Sequence, residues 1–461
     1  MFEEAGVLGR HFPTRLSHLP LDGEPPPHSL PAMNTANQPF SATRAAVIRR
    51  ALTLLVLPFL LANLSAADWP CWRGVDGLGV SSEKGLPTQW STNQNIAWTA
   101  PVPGKGASSP IIVGDRVHVT SQTPDDGLHV LAIGRASGEV LWDREVSRGK
   151  LHANNIHNMA SPTPVSDGNF VWALFGTGDL ACLDASGKIV WQRNLVKEYG
   201  MFKYGHGYGS SPMLDDGKLF ITVMHQGPSY LLALDPKTGK NIWKKDRNLE
   251  PTDESRDSYT TPIFLRAGGR TQLILEGAET VTSYAPADGE LLWTSGGFKV
   301  NHSFGRTISG LAAGDGVLVV VASGYQKRGY TVGLKTDLKT DGDRRLWTQA
   351  KFSPDCATPV VTGGHVFMIT DDGNASCLDL KTGEPRWQEK FTTVNVKVSP
   401  VAADGKVYFM NNQGNCTVVK ASPKLEILST NELNEPTLST PSISGGKIFL
   451  RTQGRLYCVG K

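Results

Sequence analysis

The sequence predicts an all-β protein that folds as an eight-bladed β-propeller of four-stranded antiparallel blades. A short unit, Ser/Thr-Pro followed by a turn and an alternating apolar strand, recurs eight times. Successive copies begin 41 to 54 residues apart, and such a period built from short strands is typical of propeller blades. The copies begin at Ser109-Pro110, Thr163-Pro164, Ser211-Pro212, Thr261-Pro262, Ser309-Gly310, Thr358-Pro359, Ser399-Pro400 and Thr440-Pro441.

The second observation is the turn chemistry inside each copy, which is clearest in the third. An inner strand is predicted after Ser211, a turn at Asp215-Asp216-Gly217, further strands at 218–223 and 230–234, and an outer strand ending at Trp243. Asp caps such turns and Gly supplies their left-handed residue. One copy therefore accounts for the four strands of one blade.

The third observation is a Gly-x-x-x-Trp pattern that ends most of the predicted outer strands. A large ring at one fixed blade position buries apolar area between neighbouring blades, so a structural docking role is predicted. Stacking on a ligand is the alternative for these rings. The predicted docking residues are Trp98, Trp142, Trp191, Trp243, Trp293, Trp347 and Trp387.

The eighth copy lacks an outer strand of its own, because the chain reaches Cys458-Val459-Gly460 and ends at Lys461. Upstream of the first copy, Asn95-Ile96-Ala97-Trp98 reads as an outer strand without a blade. Pairing the two would complete the eighth blade and remove an exposed strand edge. The ring is therefore predicted to close through an N-terminal strand near Trp98.

Four regions are predicted along the chain. Residues 1–43 form a Pro-rich extension that is disordered or untranslated, with Met33 as an alternative start to Met1. Residues 44–67 read as a signal peptide, residues 68–94 as an N-terminal segment, and residues 95–461 as the propeller.

The signal peptide is predicted from the order of its parts. Arg44, Arg49 and Arg50 precede the apolar stretch 51–64, and the small residues Ser65-Ala66-Ala67 follow it. Cleavage near Ala67 would make Asp68 the first mature residue and place the protein in the periplasm or outside the cell. The sequence has no second apolar stretch of that kind, so no integral membrane span is expected after cleavage.

Charge and cysteine usage exclude some classes of function. The net charge of +3 gives no basic field of the kind that nucleic-acid binding requires. Four of the six cysteines fall at equivalent places in four copies, which favours buried free thiols over disulfides. No Cys or carboxylate accompanies the spacing from His152 to His157, so no metal site is expected there. We expect a monomer.

Turns such as Leu234-Asp235-Pro236-Lys237-Thr238-Gly239-Lys240-Asn241-Ile242-Trp243 resemble the tryptophan-docking repeat of the pyrroloquinoline quinone propellers. The resemblance covers nearly all of residues 69–461. It implies that the chain belongs to a superfamily that contains quinone-dependent alcohol dehydrogenases and, separately, cofactor-free binding and assembly proteins such as the outer-membrane assembly lipoprotein. The opening Trp69-Pro70-Cys71-Trp72-Arg73-Gly74 looks like the N-terminal entry of a cofactor-less branch of exported proteins.

The dehydrogenase branch differs from this chain in two respects. Its members resemble one another in two adjacent cysteines over the quinone, whereas no two cysteines are adjacent here. An Asp general base cannot be matched to a motif of this sequence. We therefore expect no cofactor, with pyrroloquinoline quinone and calcium as the alternative.

A ligand site is predicted where the loops that lead into the inner strands meet around the channel mouth, since binding residues often lie on loops of a rigid scaffold. Histidine and tyrosine supply donors and a stacking face, and arginine offers a fork for anions, so an anionic or sugar-like ligand is expected. The alternative is that these loops are polar only because they are exposed. The predicted site residues are His157, His206, Tyr208, Tyr259, His302 and Arg306.

The function predicted from these observations is an exported binding or scaffold module that is not an enzyme. Its expected partner is a small polar ligand or a cell-envelope protein. Two alternatives stay open: a quinone-dependent dehydrogenase and a cell-envelope protein assembly factor.

Overall fold

The computed structural model describes residues 67–251, 253–267, 269–302, 305–324, 329–336 and 344–460. The predicted extension at 1–43, with both candidate start residues, and the signal peptide up to Ala66 lie outside the described residues. Among these ranges, no helix is long and apolar enough to cross a membrane.

The described residues form eight antiparallel sheets of four strands, so the predicted all-β, eight-bladed propeller is confirmed. The first four blades each run from an innermost strand to an outer strand in chain order. Their strands are Ile111–Val113, Arg116–Gln122, Gly127–Gly134 and Val140–Arg148 in blade 1; Val165–Ser166, Phe170–Leu174, Asp179–Asp184 and Ile189–Asn194 in blade 2; Met213–Asp215, Lys218–Val223, Tyr230–Leu234 and Asn241–Asp246 in blade 3; and Ile263–Ala267, Arg270–Gly277, Thr280–Tyr284 and Leu291–Gly296 in blade 4.

Blades 5 to 8 repeat this order, except that blade 8 takes its outer strand from the N-terminal side of the chain. Their strands are Ala312–Gly314, Val317–Ala322, Tyr330–Lys335 and Arg345–Gln349 in blade 5; Val360–Thr362, His365–Ile369, Asn374–Asp379 and Pro385–Lys390 in blade 6; Val401–Ala403, Lys406–Met410, Cys416–Lys420 and Ile427–Asn431 in blade 7; and Ser442–Ser444, Lys447–Arg451, Arg455–Val459 and Ile96–Pro101 in blade 8. The helices of the described residues are short: Val75–Gly77, Leu195–Tyr199 and Asp253–Arg256.

The ring closes as predicted, through the N-terminal strand that carries Trp98. Ile96–Pro101 runs antiparallel to Arg455–Val459, with Trp98 opposite Cys458. The innermost strand of blade 8 also lies against that of blade 1. Within blade 8, the N-terminal strand and the C-terminal strand are therefore joined by non-covalent contacts alone.

The seven tryptophans lie where neighbouring blades meet. Six of the indole N–H groups donate to a backbone carbonyl in the turn of the next blade, as Trp98 does to Arg135 O at 2.9 Å. Trp293 instead donates to Gln272 Oε1 of its own blade at 2.7 Å. A Cβ on Gly138 would lie 2.7 Å from the Trp98 ring, so the glycine of the Gly-x-x-x-Trp pattern leaves room for the tryptophan of the preceding blade.

The repeated Ser/Thr residues form a belt of hydrogen bonds around the channel. The innermost strands turn an edge toward the channel, and the N–H of one copy donates to the hydroxyl oxygen of the next, at 2.8–3.1 Å. The belt thus satisfies backbone groups that have no neighbouring strand. The six pairs, donor first, are Ser109–Thr163, Thr163–Ser211, Ser211–Thr261, Gly310–Thr358, Thr358–Ser399 and Thr440–Ser109.

The N-terminal segment, described from Ala67 to Gln94, runs across the channel before it joins blade 8. Trp69 exchanges two backbone hydrogen bonds with Ile112 of blade 1, at 2.7 and 2.9 Å. Farther along, Val80–Ser81 adds a parallel strand to the innermost strand of blade 7. Pro70 O also accepts from Ser166 N of blade 2 at 3.0 Å, and Arg73 donates to Pro359 O of blade 6, on the opposite side of the ring, so the segment spans the channel.

Arg73 holds this segment in the channel. Its guanidinium is fully buried and donates to the carbonyl oxygens of Pro359 at 2.6 Å and Pro400 at 2.9 Å, with longer bonds to Thr358 O at 3.3 Å and Leu78 O at 3.1 Å. Burial lowers the pKa of Arg73 to about 9, which still leaves it charged at neutral pH. The arginine therefore donates hydrogen bonds to backbone oxygens of blades 6 and 7 at the channel.

Candidate functional site

A cavity of about 710 Å³ lies at the channel mouth, on the side from which the chain enters the innermost strands. This volume is within the range of roughly 300–1,000 Å³ that is usual for ligand pockets. Trp72, which belongs to the N-terminal segment, is among the residues that line it. Since the backbone of that segment bonds to the innermost strands beyond their first residues, Trp72 lies at the bottom of the cavity.

Two sets of loops build the wall. The first set leads from an outer strand into the next innermost strand, and the second joins the second and third strands of one blade. Because the strands of a blade are antiparallel, both sets emerge on the same face of the propeller. His206 comes from the first set, and Thr370 and Asp371 come from the second.

Blades 2 to 4 contribute a wall of imidazole, amide and phenol groups. Asn154 Nδ2 lies 3.2 Å from Nδ1 of His206, and His157 Nδ1 lies 2.6 Å from Ser161 Oγ. The backbone N–H of His206 donates to the Tyr259 hydroxyl at 3.2 Å. Burial lowers the pKa of His157, so this imidazole is neutral at neutral pH.

Asp257 positions this wall from behind. It is fully buried, and its Oδ2 accepts hydrogen bonds from the backbone N–H of Gly205 at 2.8 Å and from the Tyr259 hydroxyl at 3.2 Å. One carboxylate thereby fixes the loop that carries His206 against the loop that carries Tyr259.

Blades 5 to 7 contribute a wall of charged groups in contact with one another. The guanidinium of Arg306 lies 3.6 Å from Asp355 Oδ2, and Lys397 Nζ forms an ion pair with Asp371. The ammonium of Lys397 also lies 3.2 Å from the Cys356 sulfur. Two positive and two negative side chains therefore meet in this part of the cavity.

Asp371 organises the charged wall. Its Oδ1 accepts backbone N–H groups from Cys356 at 3.1 Å and Asp355 at 3.3 Å, while Oδ2 faces Lys397. Burial, reinforced by the Asp371 carboxylate, raises the pKa of the Cys356 thiol, which is therefore protonated at neutral pH. Burial alone would lower the pKa of Lys397, but the Cys356 sulfur and the Asp371 carboxylate outweigh it and raise that pKa.

The structure brings together four of the six predicted site residues. His157, His206, Tyr259 and Arg306 all line the cavity, although they come from four consecutive repeats. The two others, Tyr208 and His302, are not among its lining residues.

Tyr208 is buried and is not among the residues that line the cavity. Its ring stacks on Phe202, with ring centroids 5.1 Å apart, and its hydroxyl donates to Thr222 O at 2.9 Å. Its neighbour Gly207 has a φ of +92°, and this local turn directs the tyrosine into the protein. His302 lies in a tight turn, where its backbone donates to Val300 O at 2.7 Å and accepts from Gly305 N at 3.0 Å.

Sequence reasoning missed Trp72, Cys356 and Asp371. Asp355 and Lys397 also line the cavity and were not among the predicted site residues. Asp371 belongs to the second set of loops, so the alternation of strand direction was the available signal for it. Nothing in the pattern of residues 68–94 indicated that Trp72 would reach the cavity.

A family model described as "Outer membrane protein assembly factor BamB" matches the chain over residues 76–201, 129–389 and 277–461. BamB of Yersinia pestis is 24% identical over 243 residues, which cover 48% of this chain and 56% of that protein. Polyvinylalcohol dehydrogenase of Pseudomonas sp is 24% identical over 202 residues, which cover 40% of this chain and 29% of that protein. The matches thus span little more than half of one relative and under a third of the other.

Solved structures of other proteins share the propeller fold of this chain. The crystal structure of BamB from Moraxella catarrhalis superimposes with a TM-score of 0.58 at 14% identity, and the match covers 79% of this chain and 99% of that chain. At that identity the likeness concerns the fold alone.

Proposed function

We propose that this chain, which belongs to the family described as outer membrane protein assembly factor BamB, is an exported propeller that binds a small polar ligand in its central cavity. One observation carries the proposal: polar side chains from consecutive blades converge on a single cavity of about 710 Å³ above an indole ring. A concave site with a few convergent polar groups is the usual form of a small-molecule site.

We propose that the cavity binds its ligand without a redox cofactor. Three donor groups, from Asp355, Cys356 and Asp371, lie close enough together to hold a cation. However, the Lys397 ammonium already pairs with Asp371, and a thiol is a poor ligand for calcium, which prefers six to eight oxygen ligands. The cavity residues therefore do not fit calcium-bound pyrroloquinoline quinone, and no catalytic step is assigned to it.

A cofactor experiment tests this part of the proposal. The purified protein is incubated with pyrroloquinoline quinone and calcium, dialysed and examined by absorbance spectroscopy. We expect no retained quinone band and no alcohol-dependent dye reduction. Stoichiometric uptake with alcohol oxidation would make the dehydrogenase alternative correct.

Ligand binding is tested with cavity variants and matched variants outside the cavity. Envelope metabolites are screened by the shift in melting temperature, and the affinity of each hit is then measured by calorimetry. His206→Ala and Arg306→Gln should each weaken a hit about tenfold or more, because each removes a polar group from the cavity wall. The matched controls His365→Ala and Arg386→Gln, on the second and outer strands of blade 6, should leave affinity unchanged.

The outcome that contradicts the proposal is equally specific. Hits whose affinity is the same in all four variants bind elsewhere, and a screen without hits removes the support for a ligand site.

A second candidate, a cell-envelope protein assembly factor, is favoured by the family match from residue 76 to residue 461. It is tested by affinity purification of the tagged protein from envelope extract of its own host, followed by mass spectrometry. Stoichiometric recovery of outer-membrane assembly proteins would support it. Recovery no greater than with an unrelated exported propeller would count against it.

A further inference from the structure

We infer that the cavity ligand is a neutral, polyhydroxylated molecule of the sugar class and not an ion. This inference rests on the proposed ligand site and adds the chemical class of the ligand. It is carried by the way in which the charged side chains of the cavity are paired and by the imidazole, amide and aromatic groups on the other wall.

Each charged side chain that lines the described cavity has an opposite charge beside it. Arg306 faces Asp355, and Lys397 pairs with Asp371. A third lining carboxylate, Asp372, lies 3.8 Å from the ammonium of Lys390. The cavity therefore presents compensated charges, and its two lining cations do not outnumber its carboxylates.

An ionic ligand would meet opposition from this arrangement. An anion that approaches Arg306 also approaches the carboxylates of Asp355 and Asp371, and placing like charges together at a desolvated site opposes binding. A cation meets Arg306 and Lys397 in the same way. In addition, either ion would compete with an existing ion pair for its counter-charge.

A hydroxyl group meets no such opposition, because it both donates and accepts. A carboxylate offers about four lone-pair sites on its two oxygens, so Asp355 and Asp371 can accept from hydroxyls while they remain paired. On the opposite wall, His157, His206 and Asn154 provide the imidazole and amide groups that hydroxyls can bond to as donor or acceptor.

The bottom of the cavity suits the apolar face of a sugar ring. Trp72 supplies an aromatic surface there, and Tyr259 adds a second ring at the wall. Side chains with an apolar body and a polar edge are suited to ligands that have both characters. Polar walls around an aromatic base thus match a ring that carries hydroxyls at its edge and C–H groups on its face.

The test compares neutral sugars with counterparts in which one group is replaced by a charged group. Glucose, galactose and mannose are titrated into the wild-type protein by calorimetry at pH 6.0, where amino sugars are protonated, together with glucuronate, galacturonate, glucosamine and mannosamine. At least one neutral sugar should bind, and its charged counterparts should bind about tenfold or more weakly. A charged counterpart that binds as tightly as its neutral parent would overturn the inference.

A charge variant provides a second, independent readout. Asp355→Asn removes the carboxylate that faces Arg306, so the ratio of glucuronate to glucose affinity should rise about tenfold or more. Asp246→Asn, on the exposed outer strand of blade 3, is the matched control and should leave the ratio unchanged. An unchanged ratio in folded Asp355→Asn would count against the inference, and the wild-type comparison decides the question if that variant does not fold.

The two proposals fail in different ways. If ionic metabolites bind and lose affinity in His206→Ala while no neutral sugar binds, the ligand class is wrong and the site is right. If neither neutral sugars nor any screened metabolite binds, both are wrong.

Discussion

Replacing Trp98 by alanine tests whether the propeller is held closed at the junction of its two ends. The Trp98 ring is half-buried against Gly138 of blade 1, and its indole donates to Arg135 O at 2.9 Å. A half-buried indole removes roughly 100–125 Å² from water, which is worth about 3 kcal/mol at about 25 cal/mol per Å². The lost hydrogen bond adds about 1 kcal/mol.

The expected loss for Trp98→Ala is therefore about 3–4 kcal/mol in the free energy of unfolding, measured by urea denaturation with far-UV circular dichroism. Trp142→Ala is the matched control. Trp142 makes the same kind of contact, donating to Ala185 O at 3.0 Å and packing on Gly187, on an outer strand that follows the third strand of its own blade directly in the chain. Its free energy of unfolding should fall by a similar amount.

Limited proteolysis separates the two variants. In Trp98→Ala, the outer strand of blade 8 loses its docking to blade 1, and only non-covalent contacts join that strand to Arg455–Val459, so trypsin should cut at Arg455 under native conditions. Trp142→Ala should resist cleavage at Arg455 as the wild type does. A loss below about 1 kcal/mol in Trp98→Ala, or equal cleavage in both variants, would refute the closure argument.

Four further outcomes are expected. Burial lowers the pKa of His118 to about 4. The stability that depends on the neutral imidazole is therefore fully present above pH 6.5, the usual pKa, and the free energy of unfolding falls by about 3 kcal/mol as the pH falls toward 4. His118→Gln should remove that part of the pH dependence in urea titrations. Arg73→Met should lower the free energy of unfolding by about 3 kcal/mol or more in the same assay, because buried carbonyls lose their donor. Tyr208→Phe should cost about 1 kcal/mol and leave the affinity of any cavity ligand unchanged by calorimetry. N-terminal sequencing of protein from the native host should begin near Asp68, and a soluble pool that begins at Met1 would contradict export.

The fold could be predicted because its information is repeated. Most copies carry the same turn and the same Gly-x-x-x-Trp pattern, so a degenerate copy such as the one with Gly310 is identified by its neighbours. The ring closure followed from one incomplete copy and one unassigned strand. The path of residues 68–94 could not be predicted, since that segment repeats nothing and is held by contacts with distant strands, such as that of Trp69 with Ile112.

The site could be predicted only as far as the repeat extends. Equivalence between copies placed His157, His206, Tyr259 and Arg306 on one rim. It could not give the direction of a side chain within a loop, which for Tyr208 depends on packing against Phe202 of the same loop.

The repeat also accounts for why its Ser/Thr residues recur while the loops before them differ. Both kinds of backbone group on the channel edge require partners, since a buried N–H or C=O without one is costly. The Ser/Thr hydroxyls accept from the N–H groups, as Thr163 does from Ser109, and Arg73 donates to carbonyls such as that of Pro400. Because these groups supply the hydrogen-bond partners of the channel edge, the loops above the edge need not supply them. Their side chains, Arg306 and Lys397 among them, are therefore available to shape a ligand site.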